Sequence, residues 1–158
     1  MLRHAKVRDV KAVKSLADRC REEGSLLPRA LTEIYENVRD FFVIEEADRI
    51  IGCVALHVMW EDLAEIKTLV VDPEFRGRGH GGQLIQAAMH EARDLEIERV
   101  FALTAIPSYF TARGFTEMDK AELPHKVWAE CIKCHKFPDC DEVAVVTSVS
   151  EWVSSYGA

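Results

Sequence analysis

One stretch of the chain, Leu69 to Gln83, combines residue types that bind phosphate groups. It reads LVVDPEFRGRGHGGQ, so an apolar run is followed by Asp-Pro and then by a segment rich in glycine and arginine. Proline cannot donate to a sheet ladder, so we expect the apolar strand to end at Val71. Glycines let a backbone approach a ligand closely, and the N-terminus of the helix expected next offers N–H donors and a positive dipole end. The stretch therefore predicts a pyrophosphate site.

Other phosphate-binding loops fit this stretch less well. A dinucleotide fingerprint can nearly be written over Gly77–Gly82, with Glu96 or Glu98 as the later acidic residue. Such a fingerprint normally opens a parallel βαβ unit, however, and strand-like runs come first here. A P-loop needs Lys-Ser/Thr after its last glycine, and this sequence has none there. A glycine-rich surface turn without a ligand stays open as the alternative.

The spelling of the segment resembles a motif of a known family. Arg76 to Gly81 fits R-x-x-G-x-G and follows Val70-Val71-Asp72-Pro73, which is similar to the acetyl-CoA motif of the GNAT superfamily of N-acetyltransferases. The resemblance implies that loop amides hold the pyrophosphate of acetyl-CoA, and that the backbone of the preceding strand pairs with the pantetheine arm. The cofactor-binding residues implied in this way are Leu69, Val70, Val71, Arg76, Gly77, Arg78, Gly79, His80, Gly81, Gly82 and Tyr109.

The elements that position this loop follow from hydrophobic spacing. We expect the order β-α-α-β-β-β-α-β-α-β-β, with three strands in tight succession over residues 41–45, 50–60 and 63–71, and a long helix over about 81–95. This predicts an α/β (α+β) fold with a mixed, mostly antiparallel sheet of about six to seven strands and about four helices. The order also matches the GNAT fold. We expect one domain over residues 1–158, with a core over about 1–149 and a C-terminal tail over 150–158.

Charge, apolar runs and cysteine content limit the classes of partner and the cellular compartment that we expect. The net charge is −7 and no basic stripe is present, so we expect no nucleic-acid partner. The longest apolar run, Ile50 to Trp60, is interrupted by His57 and is too short to span a bilayer, and the N-terminus lacks a signal-peptide pattern. An odd number of cysteines, five, favours a reducing cytoplasm. The sequence leaves assembly as a homodimer open.

Four short segments resemble one subgroup of the family. They are Gly24–Arg29, Ala64–Ile66, Phe101–Thr104 with the following Tyr109–Phe115, and Glu122–Pro124, and they are similar in order to the acetyltransferase domain of N-acetylglutamate synthases. The resemblance implies acetyl-CoA-dependent N-acetylation of L-glutamate, the first step of arginine synthesis, by a short, free-standing form. Two alternatives stay open, namely acetylation of another small amine and a CoA-binding sensor without turnover.

Direct transfer of an acetyl group to an amine requires a base, because an α-amino group is mostly protonated at pH 7. We expect Glu65 to be this base, near a bulge of the family type, with a solvated strand glutamate as the alternative. Thr104, at the end of the next predicted strand, would hydrogen-bond the thiol or a water, or would only cap the strand. A backbone N–H near Val70 would polarise the thioester carbonyl. Phe110 stands where many family members have a general-acid tyrosine, so we expect Tyr109 to pack or to contact CoA.

Cations must capture a dicarboxylate in an acidic protein. Arg29 is suited to bidentate carboxylate binding, and Lys67 and Lys126 are further candidates, with solvated lysines as the alternative. Cys131, Cys134 and Cys140 have ligand types that zinc prefers, but the set is incomplete, and we expect packed thiols and no metal.

Overall fold

The computed structural model describes residues 1–21, 30–124 and 142–157. The strands in these residues are β1 Leu2–His4, β2 Phe41–Glu46, β3 Arg49–Trp60, β4 Leu63–Val71, β5 Arg99–Thr104, β6 Thr116–Met118 and β7 Val143–Ser148. They form one seven-stranded sheet in the order β1-β2-β3-β4-β5-β7-β6. Neighbouring strands are antiparallel except β4 and β5, which are parallel. The expectation of a mixed, mostly antiparallel sheet is confirmed.

Helices cover both faces of the sheet. Those in the described residues are α1 Val10–Arg21, α2 Leu31–Glu36, α3 His80–Asp94, α4 Pro107–Thr111 and α5 Val149–Tyr156. Successive strand residues point to opposite faces, and both faces are buried in the central strand β3. Val54 and Leu56 pack on the side of α3, which we call the α3 face, with Leu84 among others. Cys53 and Ala55 pack with α1 on the opposite side, which we call the α1 face.

The C-terminal segment differs from the tail predicted after Val149. Residues Val149–Tyr156 form α5, and Trp152 is buried there, with its indole Nε1 donating to the carbonyl of Arg113 at 2.8 Å. Val149, Trp152, Val153 and Tyr156 have the i, i+3, i+4, i+7 spacing of a helix that buries one side, a pattern the sequence reading missed.

Two smaller features concern the packing of the core. Cys20 and Cys53 are both buried. Gly52 is a point of close approach, because a Cβ built there would lie 3.2 Å from Leu84 Cδ1 and 3.3 Å from the carbonyl oxygen of Val70. Among the described helices, none has both the length and the apolar character needed to cross a bilayer.

Candidate functional site

The parallel strands β4 and β5 separate in the middle of the sheet. Their ladder joins Leu63, Ala64 and Glu65 to Arg99, Val100 and Phe101. Both strands continue beyond these pairs, to Val71 and Thr104, without further pairing to each other in the described sheet. Backbone N–H and C=O groups on the β5 side of β4 are therefore left for another partner, because buried peptide groups in native proteins are almost always hydrogen-bonded.

A bulge in β4 accompanies this separation. Thr68 has a φ of 53°, and the register with β3 shifts between the Cys53–Val70 and Ala55–Lys67 pairs. A left-handed conformation is rare for a β-branched residue, and bulges bend the strand that carries them. The bulge lies three residues beyond Glu65, near which the sequence placed it.

The loop after β4 requires glycine at two positions. Gly77 and Gly79 have φ values of 80° and 85°, a left-handed conformation that costs glycine little and other residues more. Gly79 is the N-cap of α3 and makes no side-chain cap hydrogen bond. The first-turn N–H groups of α3 therefore remain suited to an anion.

A buried aspartate holds the start of this loop in place. Asp72 is 1% exposed, accepts a hydrogen bond from the Glu74 N–H at 3.0 Å, and pairs with Arg19 and Arg49 at 3.3 Å each. Arg76 donates from Nε to the carbonyl of Val71 at 3.0 Å, so it ties the loop to the end of β4.

The outer part of the loop carries further predicted residues. The guanidinium of Arg78 lies over the ring of Phe75, 5.3 Å from its centroid. His80 begins α3, and its Nδ1 is 3.3 Å from Gln83 Oε1. In β4, Leu69 and Val71 pack at the edge of the core on the α3 face, whereas Val70 is buried on the α1 face. The predicted cofactor-binding residues from Leu69 to Gly82 are thus one continuous strand, loop and helix start.

Tyr109 lies against the first turn of α3. A Cβ built on Gly81 would be 1.8 Å from the Tyr109 hydroxyl oxygen, so only glycine fits there as the side chains now lie. The guanidinium of Arg113 covers the Tyr109 ring at 3.7 Å and donates to the Tyr109 carbonyl at 2.8 Å. Phe110 is buried and packs edge-on against Phe115. Of the two aromatic residues, Tyr109 is therefore the one next to the loop.

Glu65 and Lys67 lie together on the α1 face. Glu65 is 6% exposed, at the last pair between β4 and β5, and its Oε1 is 3.6 Å from Lys67 Nζ. Thr104 is also buried, and its hydroxyl oxygen accepts a hydrogen bond from the Ile106 N–H at 3.0 Å. This bond is the strand-end cap that the sequence left open beside a catalytic role, and a capped hydroxyl can still donate.

Sequence reasoning missed one ionisable pair at this place. His57 Nδ1 is 2.7 Å from Asp40 Oδ2, and His57 is the residue of β3 directly opposite Glu65. The two partners are 17 residues apart in sequence, and their contact depends on the register of β2 with β3. Side chains alternate between the two faces along β3, which puts His57 on the same face as Cys53 and Ala55. This alternation is the one signal in the sequence that could have indicated which face the His57 side chain is on.

Several predicted residues lie outside the described residues. They are Arg29 and Lys126, expected to bind substrate, and the cysteines at 131, 134 and 140. In the ranges that the structure describes, no group of three or more metal-ligating side chains is found. The expectation of packed thiols at the three cysteines stays a prediction.

The geometry fits the diphosphate and the thioester arm of a CoA molecule. A left-handed glycine loop, a helix N-terminus with a glycine cap, and the edge of β4 that no longer pairs with β5 in the described sheet lie in sequence along one path. These features supply anion-binding amides and main-chain hydrogen bonds, which are the contacts that a pyrophosphate and an amide-containing arm need.

Comparison with known proteins identifies the architecture. Residues 10–118 match the acetyltransferase (GNAT) family. An amino-acid acetyltransferase of Mycobacterium tuberculosis is 38% identical over 138 residues, covering 85% of this chain and 79% of the relative. A crystal structure of a Mycobacterium tuberculosis protein in complex with CoA and NLQ superposes with a TM-score of 0.78 at 33% identity, covering 94% of this chain and 98% of the other.

A longer enzyme contains a similar domain. The N-acetylglutamate synthase of Neisseria gonorrhoeae, solved with coenzyme A and N-acetyl-glutamate, superposes with a TM-score of 0.83 at 25% identity. The match covers 94% of this chain but 35% of the synthase. This chain therefore corresponds to about a third of that protein.

Proposed function

Because the chain belongs to the acetyltransferase (GNAT) family and takes acetyl-CoA as its acetyl donor, we propose that it acetylates the α-amino group of L-glutamate, as in the first step of arginine synthesis. The observation that carries this proposal is the buried Glu65 with its neighbour Lys67 at the point where β4 and β5 separate. The names of the relatives support an amino acid as acceptor.

The loop and the end of β4 would hold acetyl-CoA. The first-turn amides of α3 and the amides of Gly77 and Gly79 would bind the pyrophosphate, and the backbone of Leu69 and Val71 would pair with the pantetheine arm. When bound, acetyl-CoA supplies the activated acetyl group. The Val70 N–H would then polarise its carbonyl, since a preorganised donor is most effective where negative charge develops.

Glu65 would take the proton of the substrate amine. A buried carboxylate is costly unless a cation faces it, so this position suits a group that holds an ammonium or accepts its proton. Lys67, 3.6 Å from Glu65, carries the charge needed to face a substrate carboxylate. Thr104 would hydrogen-bond the thiol or a water while its oxygen accepts the Ile106 N–H.

The side-chain carboxylate of glutamate would be recognised mainly by Arg29, with Lys126 as a second cation. Both lie outside the described residues, so this part of the proposal is supported by the sequence and its resemblance alone. A planar guanidinium binds a carboxylate through two parallel hydrogen bonds, which suits discrimination between glutamate and glutamine.

Release of free CoA tests the proposal. The purified chain is mixed with acetyl-CoA and, in separate reactions, L-glutamate, L-glutamine and a polyamine. We expect glutamate to give the highest rate. Faster turnover of glutamine or a polyamine would support a different acceptor, and tight CoA binding without turnover of any amine would support a sensor.

A further inference from the structure

Acetylation of an ammonium substrate must discharge a proton. The new C–N bond forms as the thioester C–S bond breaks, and the nitrogen gives up two protons on the way to an amide. One proton ends on the CoA thiol, so each turnover releases one proton to water. A base that is buried needs a neighbour through which this proton can leave.

Glu65 is such a buried base, and His57 is the partly exposed residue beside it. The side chain of Glu65 is 8% exposed, whereas that of His57 is 32% exposed. The two residues are directly opposite each other in the antiparallel pair of β3 and β4, so their side chains share the α1 face. Cβ atoms of such cross-strand pairs are typically about 4.5–5.5 Å apart.

Asp40 fixes the protonation pattern of the imidazole. A carboxylate oxygen only accepts hydrogen bonds, so the 2.7 Å contact between Asp40 Oδ2 and His57 Nδ1 requires a proton on Nδ1. In the neutral ring the other nitrogen, Nε2, then carries the lone pair.

We propose that the Asp40–His57 pair carries the substrate proton from Glu65 to solvent, so that His57 is the proton exit of the site. The sequence of steps is transfer from the ammonium to the Glu65 carboxylate, transfer to His57 Nε2 directly or through one water, and release to bulk water. This inference rests on the proposed acetyl transfer but not on the identity of the amine. The charged groups that contacts or strand pairing place beside His57 are Asp40, before β2, and Glu65 with its partner Lys67, on β4.

The test compares His57→Gln and Asp40→Asn with the parent, using whichever amine the parent acetylates. We expect kcat of His57→Gln to fall about tenfold or more at neutral pH, with KM for acetyl-CoA unchanged. We expect kcat of Asp40→Asn to fall as well. Imidazole buffer should restore much of the rate of His57→Gln, because a small base can collect the proton that His57 no longer takes. The matched control is His4→Gln, an exposed histidine on β1 that should leave kcat unchanged.

A structural role for His57 would give a different result. In that case the melting temperature of His57→Gln would fall. Its lost activity would not return when a buffer base is added, whatever the pKa of that buffer. Such an outcome would overturn the inference while leaving the acetyltransferase function intact. A kcat of His57→Gln equal to that of the parent would do the same. A parent that releases no CoA with any amine would contradict the proposed function itself.

Discussion

At the scale of single residues, Glu65 lies where burial and charge oppose each other. Its carboxylate is 6% exposed and has the ammonium of Lys67 at 3.6 Å. A buried charge needs such a partner, and a substrate ammonium entering this place would be a second one. Lys67 therefore stabilises the Glu65 carboxylate before substrate binds, and a substrate ammonium would add a second favourable charge once it is present.

We expect Glu65→Gln to lower kcat about 10²-fold or more, because glutamine keeps the shape of glutamate but cannot accept a proton. Acetyl-CoA binding should stay unchanged. The defect should shrink as pH rises and more of the amine is already neutral. Steady-state kinetics across pH check this, with Glu61→Gln, an exposed glutamate in the β3–β4 turn, as the control. Normal turnover of Glu65→Gln at neutral pH would move the role of base to another group or to water.

At the scale of elements, the contact between α4 and α3 depends on the absence of one carbon atom. A Cβ at Gly81 would meet the Tyr109 hydroxyl oxygen at 1.8 Å and its Cζ at 3.0 Å. Tyr109 is further held by Arg113, which stacks on its ring at 3.7 Å. Any side chain at Gly81 must therefore displace either Tyr109 or the first turn of α3.

Acetyl-CoA should raise the melting temperature of the parent by roughly 5–10 °C at a hundredfold excess over Kd, since it binds only the folded state. Gly81→Ala should remove most of this shift. In a Tyr109→Phe background the same substitution should remove less of it, because the atom at 1.8 Å is then absent. The melting temperature without ligand controls for folding. A parent-like shift in Gly81→Ala would take this turn out of the CoA site.

A second contact between elements joins β1 to the start of α1. Arg3 donates two hydrogen bonds to Asp9, at 2.7 and 3.0 Å, and the Lys6 N–H donates a third at 2.7 Å. The hydrogen bonds from Arg3 lower the pKa of Asp9 below its ordinary value, although burial opposes them. Asp9 therefore binds a proton less readily in the folded chain than in the unfolded one.

Since the folded-state pKa is the lower one, Asp9 contributes stability above its unfolded pKa of about 3.9 and loses it as pH falls through the folded value. We expect Asp9→Asn to lower the free energy of unfolding by about 2–4 kcal/mol at pH 7. The deficit should diminish below about pH 4, where the parent loses the same contribution. Urea unfolding at several pH values measures it, with the exposed Asp94→Asn as control. A deficit independent of pH would contradict this account.

At the scale of the whole molecule, elements encoded within one stretch of sequence were predictable, whereas contacts between residues far apart in sequence were not. The strand, glycine loop and helix from Leu69 to Asp94 follow from proline, glycine and apolar spacing within one stretch. The Asp40–His57 pair depends on the pairing of β2 with β3, and its place beside Glu65 depends on the pairing of β3 with β4. The family resemblance indicated a bulge near Glu65, but its position at Thr68 did not follow from the residues, because nothing about a threonine indicates a left-handed conformation. Helix α5 was read as a tail although its apolar residues have helical spacing.

L-Glutamate is the acetyl acceptor that we propose for this protein. The most direct measurement is a competition, in which equal concentrations of L-glutamate, L-glutamine and a polyamine share a limiting amount of acetyl-CoA. The ratio of acetylated products, determined by mass spectrometry, gives the ratio of kcat/KM values, which defines specificity. We predict that N-acetylglutamate dominates and that acetylated product equals the CoA released. A mixture dominated by N-acetylglutamine or an acetylated polyamine would contradict the claim.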